Sequence, residues 1–358
     1  MTEPGTKCVH AGTPEPAPGQ PFLPGPVFAS SYHLAGGGAE YTYARNANPT
    51  TRALEAAIGA LDGGHTLAFS SGMAAISTLL STLTNAGDTV VLPSDGYFLT
   101  RSYVDEQLEL DVRLMDTAGQ VPDLSGVKLV LVESPANPSM NMCDIALVAE
   151  RAHAAGALLA VDNTLATPLG QTPLDLGADV VVASDSKALT GHTDLMFGHL
   201  STRNEELYRR LERARTVIGC IPSPFDAWLA HRSLSTLELR VQRQSSNAAA
   251  MVEELLRHPA VQEVRWPGHP ADPSYELATR QLRHFGGVIT ARFADAETAD
   301  AVIGACTVIS AATSFGGVHS IADRRAQWGD PVDPGLVRFS AGCEDPRDLV
   351  ADLRAALT

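Results

Sequence analysis

A lysine closes an apolar run near the middle of the chain, in Val180-Val181-Val182-Ala183-Ser184-Asp185-Ser186-Lys187. Lysines stand only at positions 7, 128 and 187, so 23 of the 26 Lys and Arg residues are arginines. Arginine stays protonated and cannot act as an amine nucleophile, whereas a desolvated lysine can attack a carbonyl and form a Schiff base. Lys7 falls in a Pro/Gly-rich leader, and Lys128 precedes the apolar run Leu129-Val130-Leu131-Val132. Amine chemistry in this chain therefore falls to Lys187.

Other residues could serve such an amine, and each also has a plainer reading. Ser70-Ser71-Gly72-Met73 opens a helical stripe, where backbone amides can hold a phosphate and Gly72 allows close approach; an ordinary N-cap reads the same way. Asp162, in Val161-Asp162-Asn163-Thr164, could keep the ring nitrogen of a pyridine cofactor protonated, or simply turn the chain. Tyr97 could stack on a ring or sit in a core. Tyr43 and Arg45 lie in a loop before Asn48-Pro49-Thr50, where an arginine can grip phosphate or do nothing specific. Arg338 occupies the interior of Leu336-Val337-Arg338-Phe339-Ser340, so it must meet a carboxylate from a substrate or from the protein. His192 and His199 are seven apart with no acidic ligand pattern, which points to hydrogen-bonded or solvated histidines and to no metal site.

The elements that must carry these residues alternate. Leu54, Ile58 and Leu61 repeat at helical spacing and stop at Gly63-Gly64; Ile76, Leu79, Leu80 and Leu83 stop at Asn85-Ala86-Gly87. Asp144 caps a predicted helix through Ala155, closed by Gly156. Between them, 89–92, 129–133, 157–161 and 179–183 are apolar throughout, as in parallel strands covered on both faces. This alternation predicts an open α/β sheet whose ligand lies beyond the carboxyl ends of the strands, where Glu133, Asp162 and Ser184 to Lys187 fall. A helical zone over 225–257 leads into an α+β unit with strands at 261–266, 288–293 and 336–340 and a last helix at 348–357. Residues 1–40, rich in Pro and Gly, read as an extended arm.

The bulk properties exclude more than they assign. A length of 358 residues fits about two domains. No apolar stretch approaches the ~20 residues of a membrane helix, and the first residues show no secretory pattern. Five scattered cysteines without CxxC spacing fit reduced thiols in a cytoplasm. A net charge of −15 argues against a nucleic-acid partner.

In order along the chain, these residues resemble the Cys/Met-metabolism family of pyridoxal-phosphate (PLP) enzymes, which includes cystathionine γ-lyase, cystathionine γ-synthase and methionine γ-lyase. The resemblance runs from about Tyr43 to the C-terminus. It is carried by Tyr43-Ala44-Arg45 with Asn48-Pro49-Thr50, Ser71-Gly72-Met73-Ala74-Ala75, Glu133-Ser134-Pro135-Ala136-Asn137-Pro138, Val161-Asp162-Asn163-Thr164, Ser184-Asp185-Ser186-Lys187 with Gly191-His192, Ser314-Phe315-Gly316-Gly317, and Arg338-Phe339-Ser340-Ala341-Gly342. It implies an α/β chain of the PLP-dependent transferase fold (aspartate aminotransferase-like, type I). The expected division is an N-terminal arm over 1–45, a mostly parallel-sheet PLP-binding domain over 46–235 and a smaller α+β domain over 236–358.

The resemblance also implies roles. Lys187 is the Schiff-base lysine and Asp162 the partner of the pyridinium nitrogen. Gly72, Met73, Ser184 and Ser186 hold the phosphate; Tyr97 stacks on the ring and relays protons. Asn137, Ser314 and Arg338 orient the cofactor oxygen and the substrate carboxylate. Tyr43 and Arg45 reach a neighbouring subunit's site, which implies a homo-oligomer, usually a tetramer built from dimers.

Three departures bear on substrate choice. Tyr97 is followed by Phe98-Leu99-Thr100 where the family often has small residues or Cys; Thr313 precedes Ser314 where many γ-lyases have Glu; and 320–330, with Arg324, Arg325 and Trp328, replaces the usual His-Pro-x-x-Met-Thr-His segment. The expected activity is γ-elimination of the cystathionine γ-lyase type, in cytoplasmic transsulfuration. The alternatives are γ-replacement, a methionine γ-lyase (disfavoured by Leu99), and an idle PLP-fold binding module.

Overall fold

The computed structural model describes residues 2–34 and 36–358. Seven strands form the larger sheet: β1 (His65–Phe69), β2 (Thr89–Pro93), β3 (Asp111–Met115), β4 (Val127–Glu133), β5 (Leu158–Asp162), β6 (Val180–Ala183) and β7 (Gly198–Thr202). Their order is β1-β7-β6-β5-β4-β2-β3, parallel except for β7, which runs against both neighbours. Five more strands, β8 (Glu263–Arg265), β9 (Val288–Arg292), β10 (Ser310–Ala311), β11 (Ile321–Arg324) and β12 (Leu336–Ser340), form a second sheet in the order β10-β11-β12-β9-β8. The mostly parallel α/β sheet and the smaller α+β unit match the fold class expected from the sequence.

Caps fix where the helices begin. The first helix, α1 (Pro4–His10), is short; α2 (Pro49–Asp62) starts at Asn48, whose side chain accepts from the Thr50 amide at 2.9 Å, and stops at Gly63. Helix α3 (Gly72–Leu83) starts at Ser71, whose hydroxyl accepts from the Ala74 amide at 3.0 Å. Then come α4 (Phe98–Gln107), α5 (Ile145–Ala154), capped by Asp144, α6 (Thr167–Gly170) and α7 (Glu205–Ile218). Helix α3 lays Ile76, Leu79, Leu80 and Leu83 on one face of the large sheet, and α5 lays Ile145, Val148 and Ala152 on the other. Burial of each such side chain contributes roughly 1.5–3 kcal/mol, so these stripes anchor the strand ends that face the site.

The predicted helical zone at 225–257 is two helices, α8 (Pro224–Leu234) and α9 (Leu237–Arg257). Helix α9 packs Leu237 and Val241 into the large-sheet unit and Ala248, Met251, Val252 and Leu255 into the core of the second sheet. The second unit is completed by α10 (Tyr275–Gln281), α11 (Ala296–Ala305) and α12 (Pro346–Leu357). The arm is not wholly extended: α1 buries Cys8 against α2, and Lys7 Nζ donates to the Ala60 carbonyl at 3.0 Å.

Candidate active site

The Lys187 turn leaves the end of β6 and is held on every side. The Ser184 amide donates to Thr164 Oγ1 (2.8 Å), Ser186 Oγ accepts from the Phe197 amide (2.8 Å), and Thr190 Oγ1 donates to the Asp185 carbonyl (2.7 Å). Arg240, on α9, donates to the Ala188 and Leu189 carbonyls. The Lys187 amine donates to Ser314 Oγ at 3.0 Å and lies 5.2 Å from the centre of the Phe315 ring. Burial, then the positive charges of Arg338 and Arg325, push its pKa down to about 8 from an ordinary 10.5, against the opposing pull of Asp323.

Two carboxyls, Glu133 buried and Asp162 half-buried, stand side by side at the ends of β4 and β5, where they are paired in register. Asp162 Oδ1 accepts from the Thr164 amide (2.9 Å) and hydroxyl (2.6 Å); its Oδ2 has no hydrogen-bond partner among the described residues. Glu133 accepts from the Tyr97 amide (2.7 Å) and the Asn137 amide (2.9 Å). Burial raises both carboxyls, and the Asp162 charge adds to the rise at Glu133, whose pKa is pushed well above the ordinary carboxylate range. Gly96 is required beside them, since a Cβ there would lie 2.7 Å from Glu133 Oε2.

The phosphate-type helix start is equally specific. A Cβ on Gly72 would lie 2.5 Å from Ser184 Cβ, so only glycine brings the start of α3 against the lysine turn. The first amides of α3 at Gly72 and Met73 have no protein acceptor among the described residues, leaving donors and the positive end of the helix dipole for an anion.

The second unit supplies the opposite wall. Arg338 Nη1 donates to Asn137 Oδ1 (2.8 Å), and Nη2 donates to the Ser314 carbonyl (3.0 Å) and Asp323 Oδ2 (3.3 Å). Its Nε, buried, has no partner among the described residues. Asp323 and Asp330 both hold Arg325, in contacts of 2.8 and 2.5 Å. Ser314 has φ +93, a conformation costing a non-glycine residue on the order of 1–3 kcal/mol.

Ten of the twelve residues singled out in the sequence line one cavity of about 400 Å³: Gly72, Met73, Tyr97, Asn137, Asp162, Ser184, Ser186, Lys187, Ser314 and Arg338. Tyr43 and Arg45 do not line this chain's own cavity: Arg45 donates to the Thr216 carbonyl at 3.0 Å and packs on the Tyr43 ring. The Ser186 hydroxyl is already engaged by the Phe197 backbone. Sequence reasoning assigned no role to Glu133, Thr164 or Met196, and treated Arg325 and Trp328 only as part of a departure, yet all five line the cavity. The strand-end position of Glu133 and the Asp-Arg-Arg spacing at 323–325 were the available signals.

A model of the family described as "Cys/Met metabolism PLP-dependent enzyme" matches residues 5–358. The chain belongs to this family. A Streptomyces coelicolor protein described as "Putative cystathionine gamma-lyase" is 48% identical over 99% of this chain and 93% of its own length. A Mycobacterium tuberculosis "Cystathionine gamma-synthase" is 39% identical over 100% of the chain and 97% of its own length. The crystal structure of apo CalE6, described as a methionine gamma lyase from Micromonospora echinospora, superposes with a TM-score of 0.94 at 34% identity, covering 100% of this chain and 99% of that one.

The family's enzymes depend on PLP, and this cavity has the donors the cofactor needs. It holds one amine of lowered pKa, one half-buried carboxylate with an oxygen free among the described residues, and a glycine-tight helix start with unpartnered amides. The chain is thus a PLP-dependent enzyme of sulfur amino acid metabolism.

Proposed function

We propose that the chain catalyses γ-elimination on L-cystathionine, in which cystathionine and water give cysteine, 2-oxobutanoate and ammonia. The observation that carries the reading is Lys187, an amine of pKa about 8 in the same cavity as Asp162, Tyr97 and Arg338. Bound there, PLP supplies an aldehyde for an amine and a cationic ring that accepts an electron pair from the substrate's α-carbon. Lys187 would carry the cofactor, Asp162 would hold its ring nitrogen, and Gly72, Met73, Ser184 and Ser186 would hold its phosphate.

The chain's own residues then divide the work. Arg338, with Asn137 and Ser314, fixes the substrate carboxylate through the N–H groups its protein partners leave free. The Lys187 amine takes the Cα proton and moves protons at Cβ. Burial raises the Tyr97 phenol, more than the nearby Arg325 charge offsets, so it stays protonated and can deliver a proton to the leaving sulfur.

A second reading, γ-replacement, is favoured by one feature: Thr313 stands where many γ-lyases of the family carry Glu. We further infer a cytoplasmic homo-oligomer, a tetramer built from dimers that share active sites. Its supports are Tyr43 and Arg45 outside their own chain's cavity, the exposed Phe22 and Phe28 of the arm, and five free thiols. The division at 45/46 and 235/236 is part of this reading; the second boundary falls just before α9.

The test is a substrate panel on purified holoenzyme: cystathionine, methionine, and O-succinylhomoserine with cysteine. The expected result is 2-oxobutanoate release from cystathionine in excess of the other two. Cystathionine formation from the ester, without turnover of cystathionine, would transfer the assignment to γ-replacement.

A further inference from the structure

On the α2 side of the large sheet, behind the lysine turn, lies a buried charge chain that the chemistry above does not use. His199, on β7, is fully buried and is registered with Ala183 on one side and Ala68 on the other. Its Nδ1 stands 2.8 and 2.9 Å from the two oxygens of Asp185, and its Nε2 stands 2.9 Å from Asp62 Oδ2 at the end of α2. Asp62 Oδ2 also accepts from Ser201 Oγ at 2.6 Å, and Ser201 is in turn bonded to Thr66. With a carboxylate on each ring nitrogen, both nitrogens donate, so the ring is an imidazolium. Burial alone would lower its pKa, but Asp185 and Asp62 outweigh this and push it up to about 10.

Asp185 is the residue between Ser184 and Ser186, two before Lys187, and its side chain leaves the turn away from the cavity. On the cavity side the same turn is tied to Asp162, because the Ser184 amide donates to Thr164 Oγ1 and that hydroxyl donates to Asp162 Oδ1. The turn is thus gripped from two sides, by the Thr164 hydroxyl and the Asp162 carboxylate in front and by an ion chain behind. Two carboxylates buried around one imidazolium are tolerable only while all three partners are present, since removing one leaves an uncompensated buried charge.

We propose that His199 is a positioning residue for Lys187: the Asp62–His199–Asp185 chain clamps the Ser184–Lys187 turn to the end of α2 and sets the attitude of the amine towards the cofactor. The imidazolium also acts on Asp162. Burial raises that carboxyl, Thr164 and then the His199 charge draw it back down, and Asp185 opposes them. Loss of His199 therefore disturbs both groups that the cofactor meets.

The inference rests on Lys187 as the cofactor-bearing amine. Borohydride reduction of the holoenzyme followed by peptide mapping tests that separately, as a PLP adduct on Lys187. The clamp is tested in holoenzymes of His199→Gln, Asp62→Asn and the double variant His199→Gln/Asp185→Asn. In His199→Gln, a neutral side chain faces two carboxylates. The expected result is a PLP dissociation constant raised about tenfold or more and kcat reduced with KM within about threefold. The midpoint of the visible cofactor band in a pH titration should move by about half a unit or more. The double variant removes the Asp185 charge along with the imidazolium, so the lysine turn no longer carries an unpaired carboxylate; it leaves Asp62 to the Ser201 hydroxyl and should recover most of the affinity and band shift lost in His199→Gln. Asp62→Asn keeps the Asp185–His199 bond and should show smaller shifts in the same direction, which keeps the clamp testable if His199→Gln does not fold. A His199→Gln enzyme with a lower melting temperature but unchanged band midpoint and PLP affinity would overturn the proposal. So would a double variant that melts like wild type yet recovers neither.

Discussion

The lowered pKa of Lys187 makes a quantitative prediction about a single amine in the cofactor-free chain. Its causes are burial first, then the charges of Arg338 and Arg325, with Asp323 opposing. At about pH 7.5 an amine titrating at about 8 is roughly 25% neutral, against about 0.1% for one at the ordinary 10.5, an advantage of about 200-fold. Because lysines stand only at positions 7, 128 and 187, acylation with a limiting, amine-directed reagent can be read site by site from peptide masses. The exposed Lys128 serves as the internal reference. Plotted against pH, Lys187 labelling should reach half its maximum near 8. In Arg325→Gln the midpoint should move upwards, because one of the charges that disfavour the ammonium is gone and Asp323 keeps one guanidinium fewer. A Lys187 curve that follows Lys128 across the whole range, or one that moves downwards in Arg325→Gln, refutes the reasoning that the cavity itself prepares this amine.

Two further outcomes follow from the same geometry. Asp162→Asn keeps the shape and can still meet Thr164, but removes the charge from the cavity floor; kcat should fall by about 10²-fold or more with KM little changed, measured on cystathionine. Arg338→Gln removes the carboxylate clamp and strips Asp323 of one partner, at a cost of about 2–5 kcal/mol, so kcat/KM should fall by roughly 30-fold to several thousandfold while the PLP band persists.

The sequence announced those elements whose burial is apolar and whose ends are capped. The stripes of α2, α3 and α5 and the apolar runs of β2, β4, β5 and β6 were all legible, because covered parallel strands are hydrophobic on both faces. The strands that escaped notice had other reasons to be strands. β7 reads Gly-His-Leu-Ser-Thr and is buried throughout, its polar side chains satisfied by Asp62, Asp185, Thr66 and the Asp179 carbonyl. β3 lies at the sheet edge, half exposed, and carries no strong pattern. Helix α1 is seven residues in a Pro/Gly-rich leader, too short to form by propensity; the burial of Cys8 and the Lys7 bond to α2 hold it. The split of 225–257 at Ser235 and Thr236 interrupts a pattern that is apolar on both sides of the break.

The site was legible to the extent that its residues stand at strand ends, where topology rather than local pattern brings them together. Arg338 shows where that reasoning stops. A buried arginine in a strand had to meet a carboxylate, and it meets Asp323, fifteen residues earlier and across the β11–β12 pairing, along with Asn137 from the other unit. The protein therefore neutralises part of the guanidinium and still leaves Nε without a partner among the described residues, so the choice between substrate and structural carboxylate was not exclusive. His199 shows the same limit from behind the site. Its spacing to His192 carried no information, because its partners are Asp185, fourteen residues away on the lysine turn, and Asp62, 137 residues away at the end of a helix. Ionic pairings of that range leave no periodicity in a sequence. They exist because a carboxylate buried beside a catalytic turn must find a counter-charge, and here it comes from the antiparallel β7, whose polar residues concealed the strand.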